Sequence, residues 1–343
     1  MHGGAVTLAR RYLAQLEQPD LILATDMLDL TTFLALTRPY THHIPVTLYM
    51  HENQLTYPLP GSKKDGPMRR QHGERDYHYV FINYASTLAA DTLFFNSNYH
   101  RTAFLAALPR FLKHFPEYNE LNTIEVIEQK SKVLPVGINL SRLNNTEPAQ
   151  VNSPPLILWN QRWEYDKNPE AFFRVLRRIQ KMGIPFRLAL CGQRYGKQPA
   201  VFAKAEAHFA NELVHVGFAD DGRYRQLLWQ ADITISTAHH EFFGISIIEA
   251  AYCHTFPLLP NRLSYPEIIP PAFHPHCLYQ HEEELVHKLA HALTHAQETA
   301  VTAQQLAATL QKYDWSHIAP QYDEAVTAVT QQKPSRHPLE NKV

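Results

Sequence analysis

The chain has 343 residues, enough for two domains of ordinary size, and its 45% hydrophobic and 19% charged residues exclude a disordered protein. A formal net charge of −1 excludes the global basic field of many nucleic-acid-binding proteins. The sequence contains no apolar run of about 18 residues, so it gives no sign of a membrane partner. Three widely spaced cysteines do not suggest a disulfide framework, so we expect a cytoplasmic protein.

Short apolar runs alternate with helical stretches in the first part of the chain. The runs predict strands at residues 19–25, 44–50, 92–96 and 132–136. Strands that alternate with helices form parallel sheets with helices on their faces. We therefore predict an α/β fold, with a Rossmann-like first domain over residues 1–145.

The beginning of this domain departs from the usual pattern of nucleotide-binding folds. Such domains open with a strand and a glycine-rich turn, whereas residues 1–12 lead directly into a predicted helix. The chain has only 12 glycines, which is about half of the usual share. We expect the opening β-α-β portion of the first domain to be absent from this chain.

A polar run at residues 144–155 predicts the boundary between two domains. The second domain is predicted to be Rossmann-like and to cover residues 155–315. Its strands are expected at residues 156–159, 186–191, 213–217, 231–237 and 256–259. Residues 316–331 are predicted to form a C-terminal helix, whose return to the first domain is left open. Residues 332–343 are polar and are predicted to form a loose tail.

Two glutamates follow one predicted strand of the second domain. Glu241 lies at the turn after strand 231–237, and Glu249 lies one to two turns into the helical stretch that comes next. In open parallel sheets such a turn faces the ligand crevice at the carboxyl edge. The alternative is a pair of solvated glutamates without a ligand. The backbone amides at the start of this helix are candidate hydrogen-bond donors to hydroxyl or anionic oxygens of a ligand. They belong to Phe243, Gly244 and Ile245.

A second loop of the same domain carries two basic side chains. Arg162 and Lys167 follow strand 156–159, and Asn168 and Pro169 suit the cap and the first position of the next helix. An arginine fork and a lysine point charge above a helix N-terminus can clamp a diphosphate. The alternative is an ordinary solvated loop.

In the first domain, polar residues follow three predicted strands in turn: His51, Asn96 and Asn139. A lone histidine after a strand is more often structural than functional, but the agreement of three loops favours function.

A basic cluster lies in a nearby loop that contains glycine and proline. It is a candidate binding site, and the alternative is a solvated surface without a ligand. The cluster comprises Lys63, Lys64, Arg69, Arg70 and Arg75.

Several of these motifs resemble those of known enzymes. The spacing of Glu241 and Glu249, written Glu-x7-Glu, with Phe-Gly-Ile shortly after the first glutamate, resembles the signature of retaining glycosyltransferases of the glycogen-synthase-like GT-B group. The spacing of Arg162 and Lys167, written Arg-x4-Lys, matches the diphosphate clamp of the same group. At closer range the chain resembles the tRNA-queuosine alpha-mannosyltransferase family. The stretches that carry this likeness are residues 49–58, 75–79, 162–170, 240–244 and 314–316.

The resemblance implies a GT-B fold, in which two Rossmann-like, doubly wound domains face a cleft. It implies transfer of mannose from GDP-mannose to queuosine at the wobble position of aspartate tRNA, with retention of configuration. The first domain would bind the tRNA acceptor, and the second would bind the nucleotide-sugar donor.

The resemblance also implies a role for each candidate residue. Glu241 and the adjacent amides would hold the mannose hydroxyls, and His51 would lie against the sugar ring. Glu249 would hold the ribose, while Arg162 and Lys167 would neutralise charge on the leaving diphosphate. The basic cluster would contact phosphates of the tRNA.

The sequence suggests no metal and no cofactor. Its 21 histidines are scattered without the paired spacing of zinc ligands, and no two aspartates have the Asp-x-Asp spacing that metal-dependent sugar transferases use. Two other functions stay open. The chain could be a related retaining glycosyltransferase that acts on a lipid or a polysaccharide, or a catalytically dead tRNA-binding protein.

Overall fold

The computed structural model describes residues 2–15, 17–57, 77–145, 151–192 and 200–331. The chain forms two compact units. Unit 1 comprises Met1–Val136 and Ala319–Val343, and unit 2 comprises Gly137–Ile318.

Unit 1 is built on a parallel four-stranded sheet packed against helices. In chain order its elements are α1 (His2–Leu13), β1 (Ile22–Thr25), α2 (Leu30–Thr41), β2 (Val46–Met50), α3 (Tyr77–Ala89), β3 (Thr92–Phe95), α4 (Asn98–Leu112), α5 (Thr123–Gln129) and β4 (Ser131–Val133). The strands lie in the order β1-β2-β3-β4. Strand β2 is buried along its whole length, and Leu48, Leu93 and Phe104 are fully buried in the core.

Unit 2 contains a parallel sheet of six strands. Its elements are β5 (Leu156–Trp159), α6 (Pro169–Lys181), β6 (Arg187–Cys191), α7 (Val201–His208), β7 (Leu213–Gly217), α8 (Asp221–Gln230), β8 (Ile233–Ile235), α9 (Ile245–Tyr252), β9 (Phe256–Pro260), α10 (Tyr265–Ile268), α11 (His274–Cys277), β10 (Leu278–Tyr279), α12 (Glu282–Thr294), α13 (Ala296–Thr309) and the start of α14 (Trp315–Gln331). From β7 the strand order is β7-β6-β5-β8-β9-β10. This is the 3-2-1-4-5-6 order of a Rossmann fold, so the predicted parallel α/β fold is confirmed.

The strand order of unit 2 predicts where a ligand would bind. Strands β5 and β8 are neighbours, and chain connections run outward from them in opposite directions. In doubly wound sheets the loops that follow two such strands diverge and leave a crevice at the carboxyl edge. The two loops that carry the candidate donor-binding residues follow these two strands.

The boundary between the units lies at Val136–Gly137, not in the polar run 144–155 where the sequence places it. Ile138 forms a parallel bridge with Asp314, and the Asp314 carboxylate accepts a hydrogen bond from the Leu140 amide at 2.9 Å. These contacts join the residues just after Gly137 to Asp314, far along the chain. The local composition therefore does not reveal which unit these residues belong to.

Helix α14 contributes its residues from Ala319 onward to unit 1. Tyr322 stacks on Tyr49 with ring centroids 6.0 Å apart, and Val329 packs in a small apolar cluster with Tyr49 and Phe94. These contacts attach the end of the helix to the sheet of unit 1. The predicted loose tail lies outside the described residues.

Gly137→Ala is expected to lower the free energy of unfolding by about 1–3 kcal/mol, the usual cost of overpacking. A Cβ atom at Gly137 would lie 2.3 Å from Cδ2 of Trp315, and the Ile138–Asp314 bridge next to it limits any adjustment. Urea unfolding measures the effect. The matched control is Gly222→Ala in α8, where the nearest atom to a new Cβ would be 3.6 Å away. Equal stability of Gly137→Ala and the wild-type chain would contradict this account of the segment.

Candidate donor-sugar site

The loop after β5 is shaped by two local features. Asn168 adopts a left-handed conformation with φ 52°, and its side chain accepts a hydrogen bond from the Ala171 amide, so it caps α6 as predicted. Trp163 is 1% exposed and stacks on Phe202 with ring centroids 4.1 Å apart. A Cβ at Gly192 would lie 2.5 Å from the Trp163 ring, so this glycine lets the loop approach the end of β6.

The loops after β5 and β8 are bonded to each other. The Thr237 hydroxyl donates to the carbonyls of Lys167 and Asn168 at 3.0 and 2.9 Å, and the His239 amide donates to the Asp166 carbonyl at 2.8 Å. The β5 and β8 strands therefore present one rigid surface at their carboxyl ends.

Lys167 lies inside this surface with a side chain that is only 7% exposed. Its Nζ donates to the His240 carbonyl at 2.8 Å and to Glu241 Oε2 at 3.3 Å, and it lies 3.2 Å from Asp166 Oδ2. Burial lowers the pKa of Lys167, but the charges of Glu241 and Asp166 more than offset this and hold the pKa above its usual value. The ammonium is therefore charged, and the solvated-loop alternative is wrong for this residue.

Arg162 is the other member of the predicted clamp. Its side chain is 45% exposed and lies 3.5 Å from Glu164. The structure thus separates the two basic residues: Arg162 reaches solvent at the carboxyl edge, whereas Lys167 is enclosed by protein oxygens.

Glu241 is held from both sides. Oε2 accepts from Lys167, Oε1 accepts from the Phe243 amide at 3.3 Å, and the side chain is 22% exposed. Phe243 was expected to offer its amide to a ligand, but in this structure that amide is bonded to Glu241. A carboxylate fixed at two oxygens and partly open to solvent can accept hydroxyl groups of a sugar.

The start of α9 supplies further donors. Gly244 precedes the helix with φ 99°, a conformation that favours glycine, and a Cβ there would lie 3.0 Å from Ile268 Cδ1. No group in the described part of the chain accepts a hydrogen bond from the Gly244 or Ile245 amide. Such amides at a helix N-terminus favour an anionic oxygen.

Glu249 faces a different set of partners. Oε1 accepts from Arg142 Nη2 at 2.6 Å, and Oε2 accepts from the Tyr224 hydroxyl at 2.8 Å. Arg142 also pairs with Asp221. Sequence reasoning missed both partners of Glu249. Arg142 lies shortly after Asn139, one of the polar residues that follow a predicted strand, and this proximity in sequence was the available signal.

The histidine before Glu241 is neutral at physiological pH. Burial, and after it the positive charge of Lys167, lower the pKa of His240 to about 4. His240 therefore adds no positive charge beside the lysine.

In unit 1, His51 follows β2 and its side chain is 52% exposed. Its amide donates to Asp26 Oδ1 at 2.9 Å, its Nδ1 lies 3.5 Å from the same oxygen, and its carbonyl accepts from Asn96 at 3.0 Å. Asp26 is 1% exposed and follows β1. Sequence reasoning missed this aspartate, although an acidic residue directly after a predicted strand was a signal for it.

The predicted acceptor-binding cluster of Lys63, Lys64, Arg69, Arg70 and Arg75 lies outside the described residues. Within the described ranges, no three histidine, cysteine, aspartate or glutamate side chains are grouped so that they could hold a metal ion. No helix in those ranges is both long and apolar enough to cross a membrane.

Comparison with known proteins identifies the family. Residues 1–138 match the family model described as tRNA-queuosine alpha-mannosyltransferase N-terminal, and residues 143–307 match glycosyl transferases group 1. A tRNA-queuosine alpha-mannosyltransferase from Drosophila melanogaster is 34% identical over 257 residues, which is 73% of this chain and 65% of that protein. The chain belongs to the tRNA-queuosine alpha-mannosyltransferase family. It spans slightly less than two thirds of this relative's length.

Solved structures agree on the fold of this family member. Sucrose-phosphate synthase from Thermosynechococcus elongatus aligns with a TM-score of 0.71 at 14% identity, covering 95% of this chain and 77% of that one. Anabaena HepE, solved with UDP and glucose, aligns with a TM-score of 0.68 at 16% identity, covering 94% of this chain and 81% of that one. At such low identity the likeness shows the fold alone, which is GT-B.

The depressed pKa of His240 predicts a loss of stability in mild acid. The unfolded chain binds a proton near pH 6.5, whereas the folded chain binds it only near pH 4, so the stability from this group is complete above pH 6.5 and falls as the pH approaches 4. Urea unfolding at pH 6.5 and 4.5 should show a smaller acid loss in His240→Gln than in the wild-type chain, by about 1–3 kcal/mol. The control is His276→Gln at an exposed position. An unchanged acid loss in His240→Gln would mean that His240 titrates normally.

Proposed function

We propose that this chain is a retaining glycosyltransferase that moves mannose from GDP-mannose to queuosine at the wobble position of aspartate tRNA. Family membership supports the reaction class. The observation that carries the proposal is the carboxyl edge of β5 and β8, whose loops hold the fixed Glu241 carboxylate, the Gly244 and Ile245 amides and the exposed Arg162 side chain. These groups supply both an anion site and a hydroxyl site.

The donor would lie along unit 2. Arg162 and the α9 amides would neutralise charge that develops on the leaving diphosphate. Glu241 would accept hydrogen bonds from mannose hydroxyls. Glu249 would bind the ribose, and because both of its oxygens already accept hydrogen bonds, the ribose hydroxyls must share them with Arg142 and Tyr224 or displace one of these partners.

The reaction would proceed by attack on the same face of the sugar that the diphosphate leaves. A double displacement would need Glu241 to act as a nucleophile. Its two oxygens are committed to Lys167 and to the Phe243 amide, which favours a binding role. The leaving phosphate would then assist the acceptor hydroxyl. No metal ion is required by this scheme, since positive charge comes from Arg162 and the helix N-terminus.

The acceptor would bind to unit 1. Buried Asp26 fixes the His51 amide and lies beside the His51 ring, leaving a half-exposed imidazole at the carboxyl edge of this sheet. An anticodon loop can present an unstacked base to such a site. The basic cluster over residues 63–75 would contact RNA phosphates, and the reducing cytoplasm would be the compartment of the reaction.

The direct test is transfer of labelled mannose from GDP-mannose to aspartate tRNA that contains queuosine. We expect incorporation into this tRNA and none into the same tRNA without queuosine. Transfer to a lipid or polysaccharide instead would support the related glycosyltransferase, and tRNA binding without any turnover would support a catalytically dead binding protein. Either result would contradict the proposal.

The two glutamates are expected to differ in the kinetic step that they affect. Glu241→Gln should lower kcat for transfer by at least about 100-fold, because it weakens contacts with the reacting sugar, while GDP affinity stays near normal. Glu249→Ala should weaken GDP binding by about tenfold or more. Calorimetry with GDP and initial-rate kinetics measure the two effects, and Glu298→Gln at an exposed position is the control. Equal losses of GDP affinity in both variants would contradict this division.

A further inference from the structure

The start of α3 and the end of α4 bring three aromatic rings together on unit 1. Tyr77 stacks on Phe111 with ring centroids 6.0 Å apart, and on His114 with ring centroids 4.4 Å apart and ring planes 16° from parallel. We call these three side chains the aromatic stack. Phe111 belongs to the core, Tyr77 is 37% exposed and His114 is exposed. The stack therefore leads from the core of unit 1 to its surface.

Two further aromatic side chains reach solvent close to the stack in sequence. Phe81, one turn after Tyr77 on α3, is 48% exposed, and Tyr118, four residues after His114, is 87% exposed. Tyr118 also has a left-handed backbone conformation with φ 54°, which is uncommon for a bulky residue. Exposed aromatic rings that occur as a group, rather than singly, mark a surface that binds a partner.

The charges of this surface suit an anionic partner. The whole chain has 33 acidic residues, but neither α3 nor α4 contains one. Arg110 lies in the last turn of α4, Lys113 follows the helix, and both are exposed. Within the described ranges no carboxylate forms an ion pair with either cation, although Glu117 and Glu120 lie in the next loop. Both cations are therefore available to phosphate groups.

Exposed rings beside available cations match the chemistry of unpaired RNA. Its bases stack on aromatic side chains, and its phosphates pair with arginine and lysine. The bases of an RNA duplex are already stacked on one another and cannot use the rings in this way. A second copy of this chain would bury the rings, but its own α3 and α4 would bring no carboxylate to meet the cations. In the sequence, Arg75 of the predicted basic cluster precedes Tyr77 by two residues.

We propose that the aromatic stack, together with Tyr118, Arg110 and Lys113, binds unpaired nucleotides of the tRNA acceptor. His114 and Tyr118 stack on bases, and the two cations contact the phosphates of the same strand. This inference rests on the proposed function, which supplies the RNA, and it adds a surface that holds the RNA to the residues that transfer the sugar.

The first test measures the Kd of aspartate tRNA that contains queuosine by fluorescence anisotropy. His114→Ala and Tyr118→Ala each remove an exposed ring without disturbing the core, and each should raise this Kd by about tenfold, the usual effect of losing one base–aromatic stack. His114→Phe keeps a flat ring and should stay within about twofold of the wild-type Kd. The control is Tyr40→Ala on α2, where the side chain is 51% exposed, and it should bind like the wild-type chain. An unchanged Kd in both alanine variants would overturn the proposal.

The second test separates stacking from charge. The chain with both Arg110→Gln and Lys113→Gln should show a dependence of log Kd on log salt that is flatter by about one to two units, because two phosphate contacts are lost. Arg38→Gln, at an exposed position on α2, is the control and should keep the wild-type slope.

A short RNA duplex without unpaired bases tests the stacking itself. His114→Ala should weaken the binding of tRNA but leave the affinity for this duplex unchanged. Equal losses of affinity for the tRNA and for the duplex would show that the ring does not stack on bases, and would overturn the proposal.

The outcomes for this surface and for the proposed function can be told apart. If the wild-type chain binds the tRNA but transfers no mannose, the proposed function fails, and the variants above still decide the surface. If mannose is transferred while His114→Ala and Tyr118→Ala bind the tRNA like the wild-type chain, the surface proposal fails alone. Light scattering covers the other occupant: a wild-type dimer that these substitutions dissociate, with an unchanged Kd for tRNA, would assign the surface to a second copy and overturn the proposal.

Discussion

The buried ammonium of Lys167 is the interaction on which the candidate site depends. A charge at this depth is stable only with close counter-ions and hydrogen bonds, and here the partners come from its own loop and from the loop after β8. The contacts that neutralise the Lys167 ammonium therefore connect two loops that are about seventy residues apart in sequence. Glu241 is fixed as a consequence, while Gly244 and Ile245 keep their amides open because the helix begins directly after this contact.

The two glutamates of the motif occupy contrasting surroundings. Glu241 has one cationic partner and one amide partner and is partly open to solvent. Glu249 lies between Arg142 and the Tyr224 hydroxyl, with a side chain that is 9% exposed. The first arrangement leaves lone pairs for a ligand that approaches from the crevice. In the second, a hydrogen bond to Arg142 fixes Glu249, so under the proposed function the affinity for the nucleotide would depend on a residue close in sequence to the boundary between the two units.

Much of this arrangement follows from sequence, because it depends on local patterns. Alternating apolar runs gave the parallel sheets, and the strand-to-helix turns placed Arg162 and Glu241 at the carboxyl edge of one sheet. Asn168 and Pro169 marked the start of α6 because capping depends only on neighbours. The burial of Lys167 could not be foreseen, since its loop is polar in sequence and its partners are distant. For the same reason Asp26, Arg142 and Tyr224 were missed, and the boundary was placed too late in the chain.

Hydrogen–deuterium exchange with and without GDP-mannose tests most directly the claim that the donor binds at the crevice between β5 and β8. The amides of Gly244 and Ile245 donate to no acceptor among the described residues, so they should exchange rapidly in the free chain and slow markedly when the diphosphate binds. Residues 160–168 should be protected in parallel. Saturating donor that leaves exchange in both segments unchanged, or that protects only segments away from this edge of unit 2, would contradict the account.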